Sequence, residues 1–337
     1  MTENRRFLLV RRPHGEPQPD DFRLASAPIP QVPAGGLVVR NHYASLDPAQ
    51  RGWMDNRPSY MPPIALGGPV RATTVGVVHA SDHPGFRPGQ WVVGLGALED
   101  YSAVVPGAFT APVDVSLVDS PSRYLSAMGA VGMTAYFGLL DAAKPRTGET
   151  LLVSGAAGAV GSAVGQIGKI AGCRVIGIAG GADKCRRLLE DYGFDVAIDY
   201  KEKGIAQLAA EIADAAPAGA DIVFENIGGD VFDAELSNLA LGARIVLCGL
   251  ISEYNSIAPT GVRNLWQVLV RRATISGFLV SDYAARFAEG GLKMSQWMAE
   301  GRLRIDEDVQ EGLENAYPAF MRLFSGANTG KLVLKIA

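Results

Sequence analysis

The sequence predicts an α/β protein in two parts, an all-β unit rich in loops and a doubly wound parallel sheet. Three observations predict it. Sixteen of the 20 prolines fall between Pro13 and Pro121, and only Pro145, Pro217, Pro259 and Pro318 follow. Beyond about residue 125, apolar strands alternate with helical stretches, the repeat expected of a parallel sheet wound with helices. One strand runs directly into a glycine-rich turn and a long helix. At 337 residues the chain is long enough for two hydrophobic cores.

In the first part, short apolar runs such as Gly36–Arg40, Thr73–Val78 and Gln90–Val93 are separated by Gly, Pro and Asp turns, which reads as β structure. In the second part, strands are expected at Thr150–Ser154, Arg174–Ala179, Val196–Asp199, Asp221–Glu225, Arg244–Cys248 and Thr274–Val280. Most are apolar on both faces, as buried parallel strands are. Helices are expected at Val160–Ala171, Lys184–Tyr192, Ile205–Ala215 and Val231–Leu239. Lys331–Ile336 returns to an alternating strand pattern and is expected to rejoin the first part.

Composition removes several classes of function. Thirty-one Lys and Arg against 35 Asp and Glu give a net charge of -4, so no basic field is present to hold nucleic acid or an anionic membrane. Met1–Val10 carries Glu3, Arg5 and Arg6 and lacks the apolar core of a signal peptide. Cys173, Cys185 and Cys248 are an odd, widely spaced set, which fits reduced thiols and a cytoplasmic location. Thr150–Gly168 is uncharged but interrupted by glycines and has no aromatic anchors, which suits a ligand turn better than a bilayer span.

That uncharged run carries the central motif. Leu151–Ser154 leads into Gly155-Ala156-Ala157-Gly158-Ala159-Val160-Gly161 and then a helix, the context of a Rossmann dinucleotide fingerprint. Gly158 lets backbone approach a pyrophosphate, Gly161 lets the helix pack close to the strand, and the amides of Ala159 and Val160 open the helix toward phosphate. Ala156 takes the place of the usual first glycine. An NAD site places an acid near the end of the next strand, where this chain has Ala179-Gly180-Gly181-Ala182. Lys184, with Arg186 and Arg187 nearby, offers cations to a 2′-phosphate instead, so NADPH is the expected cofactor. The alternative for this segment is that Asp183 caps the helix and the cations form its solvated face.

Other oxidoreductase chemistries lack their residues. None of the ten tyrosines is followed by Lys four positions later, so a Tyr–Lys short-chain site is absent. All three cysteines lie after residue 170, and His79 and His83 are followed at once by Pro84-Gly85, so no metal ligand set is expected. There is no G-x-S-x-G elbow for acyl transfer. Hydride chemistry without a metal remains.

Gly132-Met133-Thr134-Ala135-Tyr136-Phe137-Gly138, the Gly155–Gly161 turn, Val164–Lys169 and Gly172–Val175 resemble the zinc-free medium-chain dehydrogenases/reductases. Ser45-Leu46-Asp47-Pro48 with Arg51-Gly52, Gly180–Cys185, Glu225-Asn226-Ile227-Gly228-Gly229, Cys248–Ser252 with Tyr254, and Asn328–Lys331 extend the resemblance over almost the whole chain. The similarity is greatest to the branch of prostaglandin reductases, plant alkenal double-bond reductases and curcumin reductases. It implies a GroES-like partly open barrel from residues 1–125 plus 302–337 and a Rossmann domain from residues 126–301. It also implies Lys184 and Tyr200 at the 2′-phosphate, Asn226 near ribose and pyrophosphate, and Asn328 near the nicotinamide. Tyr254 is implied beside nicotinamide ribose and substrate, with Cys248 and Phe278 as further cofactor contacts. Where several relatives have Pro-Tyr-Met after Ser-x-Asp, this chain has Pro48-Ala49-Gln50 and so lacks that tyrosine.

The activity implied is reduction of the C=C bond of an α,β-unsaturated ketone or aldehyde. Hydride reaches the β-carbon and charge collects on the carbonyl oxygen, which needs hydrogen-bond donors. Tyr254, together with the cofactor's ribose hydroxyl, is the expected donor, since a phenol of ordinary pKa near 10 stays protonated. Tyr60 is a second catalytic candidate, and Trp53, Met54, Met133 and Phe278 are expected apolar walls. Two alternatives share the cofactor motifs: reduction of quinones, and a crystallin-like or sensory protein that binds NADPH without turnover. The edge strand near Thr274–Val280 is expected to join a second copy in a homodimer.

Overall fold

The computed structural model describes residues 3–259 and 261–337. The first part of the chain supplies strands β1 (Glu3–Leu9), β2 (Phe22–Pro28) and β3 (Leu37–Ser45), the short helix α1 (Ala49–Trp53), and strands β4 (Arg71–Ser81), β5 (Trp91–Ala97), β6 (Tyr101–Val104) and β7 (Ala111–Pro112). The second part runs α2 (Ala130–Phe137), β8 (Thr150–Val153), α3 (Ala159–Ile170), β9 (Arg174–Ala179), α4 (Ala182–Glu190), β10 (Val196–Asp199), α5 (Ile205–Ala215) and β11 (Ala220–Glu225). It continues with α6 (Gly229–Leu236), β12 (Leu239–Leu247), α7 (Ile251–Tyr254), α8 (Trp266–Arg271), β13 (Thr274–Gly277) and α9 (Phe287–Ala299). The chain closes with β14 (Glu307–Glu311), α10 (Ala316–Ser325) and β15 (Lys331–Lys335).

These elements form two compact units: Met1–Gly129 with Glu307–Asn328 and Leu332–Ala337, and Ala130–Asp306 with Thr329–Lys331. In the first, an antiparallel hairpin pairs β1 with β2. A larger sheet has the order β14-β15-β3-β4-β5-β7, with β6 also paired to β3. The returning strand β15 is antiparallel to β3, placing Val333 opposite Ser45 and Leu334 opposite Ala44. These strands bury Leu9, Leu332 and Leu334 in one core, joined by Leu46 just after β3, and Leu37, Val39, Val78 and Val92 in another.

The second unit is a six-stranded parallel sheet in the order β10-β9-β8-β11-β12-β13. Counted along the chain that order is 3-2-1-4-5-6, the doubly wound arrangement of a dinucleotide-binding sheet. Leu152, Ile176, Ile178, Val223 and Ile245 are buried on the sheet, and Leu208, Ile212, Phe232 and Leu236 from α5 and α6 cover them. No helix among the described residues is long and apolar enough to cross a membrane.

In the second unit three element boundaries move by three residues or more from the sequence reading. Strand β12 begins five residues early, at Leu239 rather than Arg244, because Leu239 pairs with Ala220 before a register irregularity in the ladder. Helix α6 therefore stops at Leu236, with the Asn238 side-chain amide donating to the Ala234 and Ala209 carbonyls at 2.9 Å each. Strand β13 stops at Gly277 rather than Val280, because its partner β12 ends at Leu247 opposite Gly277. Val280–Arg286 then turns as a 3-10 helix.

The face of α3 turned to the sheet is built from glycines. A methyl group at Gly165 would stand 1.9 Å from Cζ of Phe194, and one at Gly168 would stand 2.5 Å from Cδ2 of Leu151. Gly165→Ala is thus expected to destabilise the protein by about 1–3 kcal/mol in urea unfolding. Adding Phe194→Leu should recover part of that loss, so that the double variant costs less than the sum of the two single changes.

Candidate functional site

In a doubly wound sheet the ligand crevice lies beyond the carboxyl ends of the strands, where the strand order reverses. Here that point lies between β8 and β11, which are hydrogen-bonded neighbours. The turn after β8 is tight because Gly155 adopts a φ of 57°. A methyl group at Gly161 would lie 2.4 Å from the Gly155 carbonyl oxygen and 2.8 Å from the Ala156 Cα, so only glycine allows α3 to approach the strand this closely. Gly158 is the extended N-cap of α3 and brings no capping side chain, so the amides of the first turn, from Ala159 through Gly161, are offered to a ligand anion.

Ala156 has a different part from the one its place in the motif suggested. Its side chain is fully buried, a methyl group at Gly177 would stand 2.9 Å from it, and its N–H donates to the Ile178 carbonyl at 3.0 Å. It fixes the turn to β9 and has no amide left for phosphate.

The ends of β9 and β10 make a cationic corner. Gly181, at a φ of 101°, is the N-cap of α4, so Asp183 is not the cap; Asp183 is exposed and pairs with Arg186 at 2.9 Å. A methyl group at Gly180 would stand 3.2 Å from the Tyr200 ring and 3.3 Å from Cε of Lys201. Lys184 is half-buried, and its ammonium is pushed below the usual lysine range first by burial and then by the charges of Lys201 and Arg187. Neither Lys184 nor Lys201 has a carboxylate within ion-pair distance among the described residues. The nearby acid, Asp199, turns Oδ1 to two backbone amides, accepting from Gly181 at 2.8 Å and from Lys201 at 3.0 Å. Two lysines without a counter-charge, beside a half-buried phenol, fit a phosphate.

Arg187 does not join this corner. It donates to Asp306 at 2.6 Å and to the Tyr192 hydroxyl at 2.8 Å, and its guanidinium lies over the Tyr192 ring at 5.4 Å. Arg186 is exposed in its pair with Asp183. Lys201 escaped the sequence reading because it follows β10, and only the pairing of β9 with β10 brings it beside Gly180.

Across the crevice, β11 ends at Glu225. Its carboxylate accepts from the Ser154 hydroxyl at 2.6 Å, from the Ile227 amide at 2.6 Å and from the Gly228 amide. Asn226 is pinned beside the glycine turn: its N–H donates to the Ser154 hydroxyl at 2.9 Å and its side-chain amide to the Ser154 carbonyl at 2.8 Å. The loop after β12 is tied to the same point, with Cys248 and Gly249 amides donating to the Glu225 carbonyl at 3.0 and 3.1 Å. Ile251 donates to Asn226 at 3.2 Å and Ser252 to Ile227 at 2.9 Å, so α7 is held against the Asn226 loop. Tyr254 closes α7, and its oxygen accepts the Leu250 amide at 3.3 Å.

Cys248 is half-buried, its amide is taken by Glu225, and burial together with the Glu225 charge pushes its thiol up to about 12. Phe278 packs against Tyr283 at a ring distance of 5.4 Å, in a cluster where Tyr283 stacks on Phe137 at 4.7 Å. Met54 and Met133 are core residues, buried to 1% and 0% exposure, and form no wall. Tyr60 belongs to the first unit, is exposed, and stands edge-on to Trp53 at 6.3 Å. Asn328 ends the Glu307–Asn328 segment, two residues before Gly330, which forms a parallel bridge with Gly158. His79 stands edge-on to Tyr101 at 5.2 Å, and among the described residues no three His, Cys, Asp or Glu side chains gather in a metal-ligating group.

Residues 5–113 match the N-terminal domain of oxidoreductases and residues 159–297 match the zinc-binding dehydrogenase domain. The chain is 43% identical to the NADPH-dependent curcumin reductase of Escherichia coli (strain K12), over 99% of this chain and 97% of that one. It is 38% identical to a 2-alkenal reductase (NADP(+)-dependent) of Nicotiana tabacum, over 100% of this chain and 98% of that one. The crystal structure of CurA in complex with NADPH from Vibrio vulnificus superposes with a TM-score of 0.92 at 42% identity, covering 99% of both chains. With its parallel dinucleotide sheet, its separate antiparallel sheet and relatives matched end to end, the chain belongs to the medium-chain dehydrogenases/reductases, in their zinc-free reductase branch.

Proposed function

We propose that the protein is an NADPH-dependent reductase of the C=C bond of α,β-unsaturated ketones and aldehydes. The observation that carries the cofactor assignment is the corner of Gly180, Lys184, Tyr200 and Lys201, where two ammonium groups have no carboxylate partner among the described residues. The curcumin and 2-alkenal reductases, matched over 97% and 98% of their length, support the substrate class. NADPH, when bound, supplies the hydride for the β-carbon.

The chain's own residues bind, orient and donate. The first turn of α3, from Ala159 to Gly161, receives the pyrophosphate at the positive end of the helix. Lys184, Lys201 and Tyr200 hold the 2′-phosphate, and Asn226, fixed by Ser154, takes the ribose side. Tyr254 donates a hydrogen bond from its hydroxyl to the carbonyl oxygen on which charge gathers, lowering the barrier where the charge develops, and solvent supplies the proton that completes the α-carbon. Tyr60 is the second phenol we assign to the reaction, and Asn328 we assign to the nicotinamide end. The three cysteines are free thiols, which supports a reducing, cytoplasmic setting. We further assign a homodimer, supported by β13 at the sheet edge and by the exposed Leu265, Trp266, Leu269 and Leu279 around it.

Incubation with NADPH and an enone should yield the saturated ketone, identified by mass spectrometry; oxidation of NADPH by quinones alone would overturn the reading. Lys184→Ala and Lys201→Ala should each raise KM for NADPH by about tenfold while leaving KM for NADH within about twofold. Tyr254→Phe should lower kcat by about a hundredfold at unchanged KM for NADPH, measured in steady-state assays at saturating enone. Light scattering should give the mass of two chains, and Trp266→Glu with Leu269→Glu should give the mass of one.

A further inference from the structure

Glu225 and Glu235 are both fully buried, one at the end of β11 and the other on α6. Three donors converge on Glu225: the Ser154 hydroxyl and the amides of Ile227 and Gly228. Neither oxygen of Glu235 has a donor among the described residues, and neither carboxyl has a cation within ion-pair distance. The Glu235 carboxyl lies close enough to Glu225 and to the Ser154 hydroxyl to feel both, the Glu225 charge opposing its ionisation and Ser154 favouring it. Two adjoining anions without a cation cannot both persist in such a place, so the pair must keep one proton. The donors decide where it sits: Glu225 is already filled as an acceptor, and Glu235 is left to carry the proton.

We propose that Glu225 and Glu235 form a carboxyl pair sharing one proton, and that this pair is the positioning device for the Asn226–Gly228 loop on which the cofactor rests. The proposal builds on the reading of that loop as part of the NADPH site. Protonated Glu235 donates to Glu225 and fixes its rotamer. Glu225 in turn aligns the amides of Ile227 and Gly228, and through Ser154 it sets the backbone and side chain of Asn226. The main-chain oxygen of Glu225 holds Cys248 and Gly249, so the loop leading to Tyr254 hangs from the same residue.

The groups facing the pair are few. Ser154 approaches from the end of β8 and Cys248 from the end of β12, while on α6 itself Asp233 is engaged with Arg263 at 2.8 Å. Burial first, and then the Glu225 charge, pushes the Glu235 carboxyl well above the usual range. Above the ordinary carboxylate range the folded chain then holds a proton that the unfolded chain has released. Stability accordingly falls as pH rises through that window.

The test uses the full chain and the variants Glu235→Gln, which keeps a donor toward Glu225, and Glu235→Leu, which removes it. Infrared spectra at pH 8 should contain a protonated-carboxyl band that Glu235→Gln abolishes. NADPH titrated by fluorescence should bind Glu235→Gln within about twofold of the parent and Glu235→Leu about tenfold more weakly or worse. KM for the enone at saturating NADPH should stay put. The melting temperature of Glu235→Gln relative to the parent should rise with pH, whether or not the Leu variant folds. Absence of the band, a flat pH difference, or a folded Leu variant that binds NADPH like the parent would overturn the proposal. Failure of the parent itself to bind NADPH would overturn the cofactor reading and the positioning role together, whereas a missing band with NADPH bound would overturn the pair alone.

Discussion

The constraint on which the second unit depends is the approach of α3 to its own strand. With the Gly155 carbonyl and Ala156 Cα where a side chain of residue 161 would have to be, the helix can lie against the turn only if that residue is glycine. The same face continues through Gly165, over the ring of Phe194, and Gly168, against Leu151 and Val175. Close packing along this line fixes the helix axis, and the axis aims the amides of the first turn. The geometry that serves an anion is therefore a by-product of packing rather than a separate feature of the loop. Gly155, at positive φ, and Ala156, buried beneath Gly177, are parts of the same fit.

Around this turn the charges are sorted by what satisfies them. Asp199 and Glu225, the acids at the ends of β10 and β11, spend their carboxylates on backbone amides and, for Glu225, on a serine hydroxyl. Among the described residues Lys184 and Lys201 receive no carboxylate. A carboxylate held by amide donors is anchored to the fold and cannot swing across to neutralise an ammonium, so the positive potential survives at the end of β9. In an NAD site the acid would take the place of Gly180 or Gly181 and bond the ribose hydroxyl; here glycines clear that space and the acid lies one strand further out.

How much of this could be read from sequence follows from the range of each interaction. The strands β8 to β11 and the helices between them were legible because burial on both faces produces continuous apolar runs, and each turn is local. The glycine turn was legible for the same reason, since Gly155, Gly158 and Gly161 act on residues within six positions of each other. The β1–β2 hairpin was not, because its strands are separated by 12 residues and part of its hydrogen bonding goes to Leu98 and Gly68. Lys201 and Glu235 carry no local signature: one matters through the pairing of β9 with β10, the other through a contact between a helix and the end of a distant strand. Arg187 shows the reverse failure. Its sequence neighbours suggested a phosphate ligand, yet Asp306, more than a hundred residues away, claims its guanidinium.

The same sorting extends to the thiols. A reductase of unsaturated carbonyls handles compounds that alkylate thiolates, and this chain places a cysteine, Cys248, in the loop leading to Tyr254. Its thiol is pushed up to about 12 by burial and by Glu225, and Cys173 is pushed up to about 11 by burial and by Glu149. Cys185 moves the same way under burial and Asp199. Relative to an ordinary thiol, such shifts lower the thiolate present at neutral pH, more for Cys248 than for Cys173. Since the thiolate is the nucleophile, the negative potential of Glu225, whose carboxylate holds the Ile227 and Gly228 amides, also keeps the neighbouring sulfur unreactive toward a Michael acceptor. A single buried carboxylate thus serves geometry and chemical inertness together, and neutralising it would relax both.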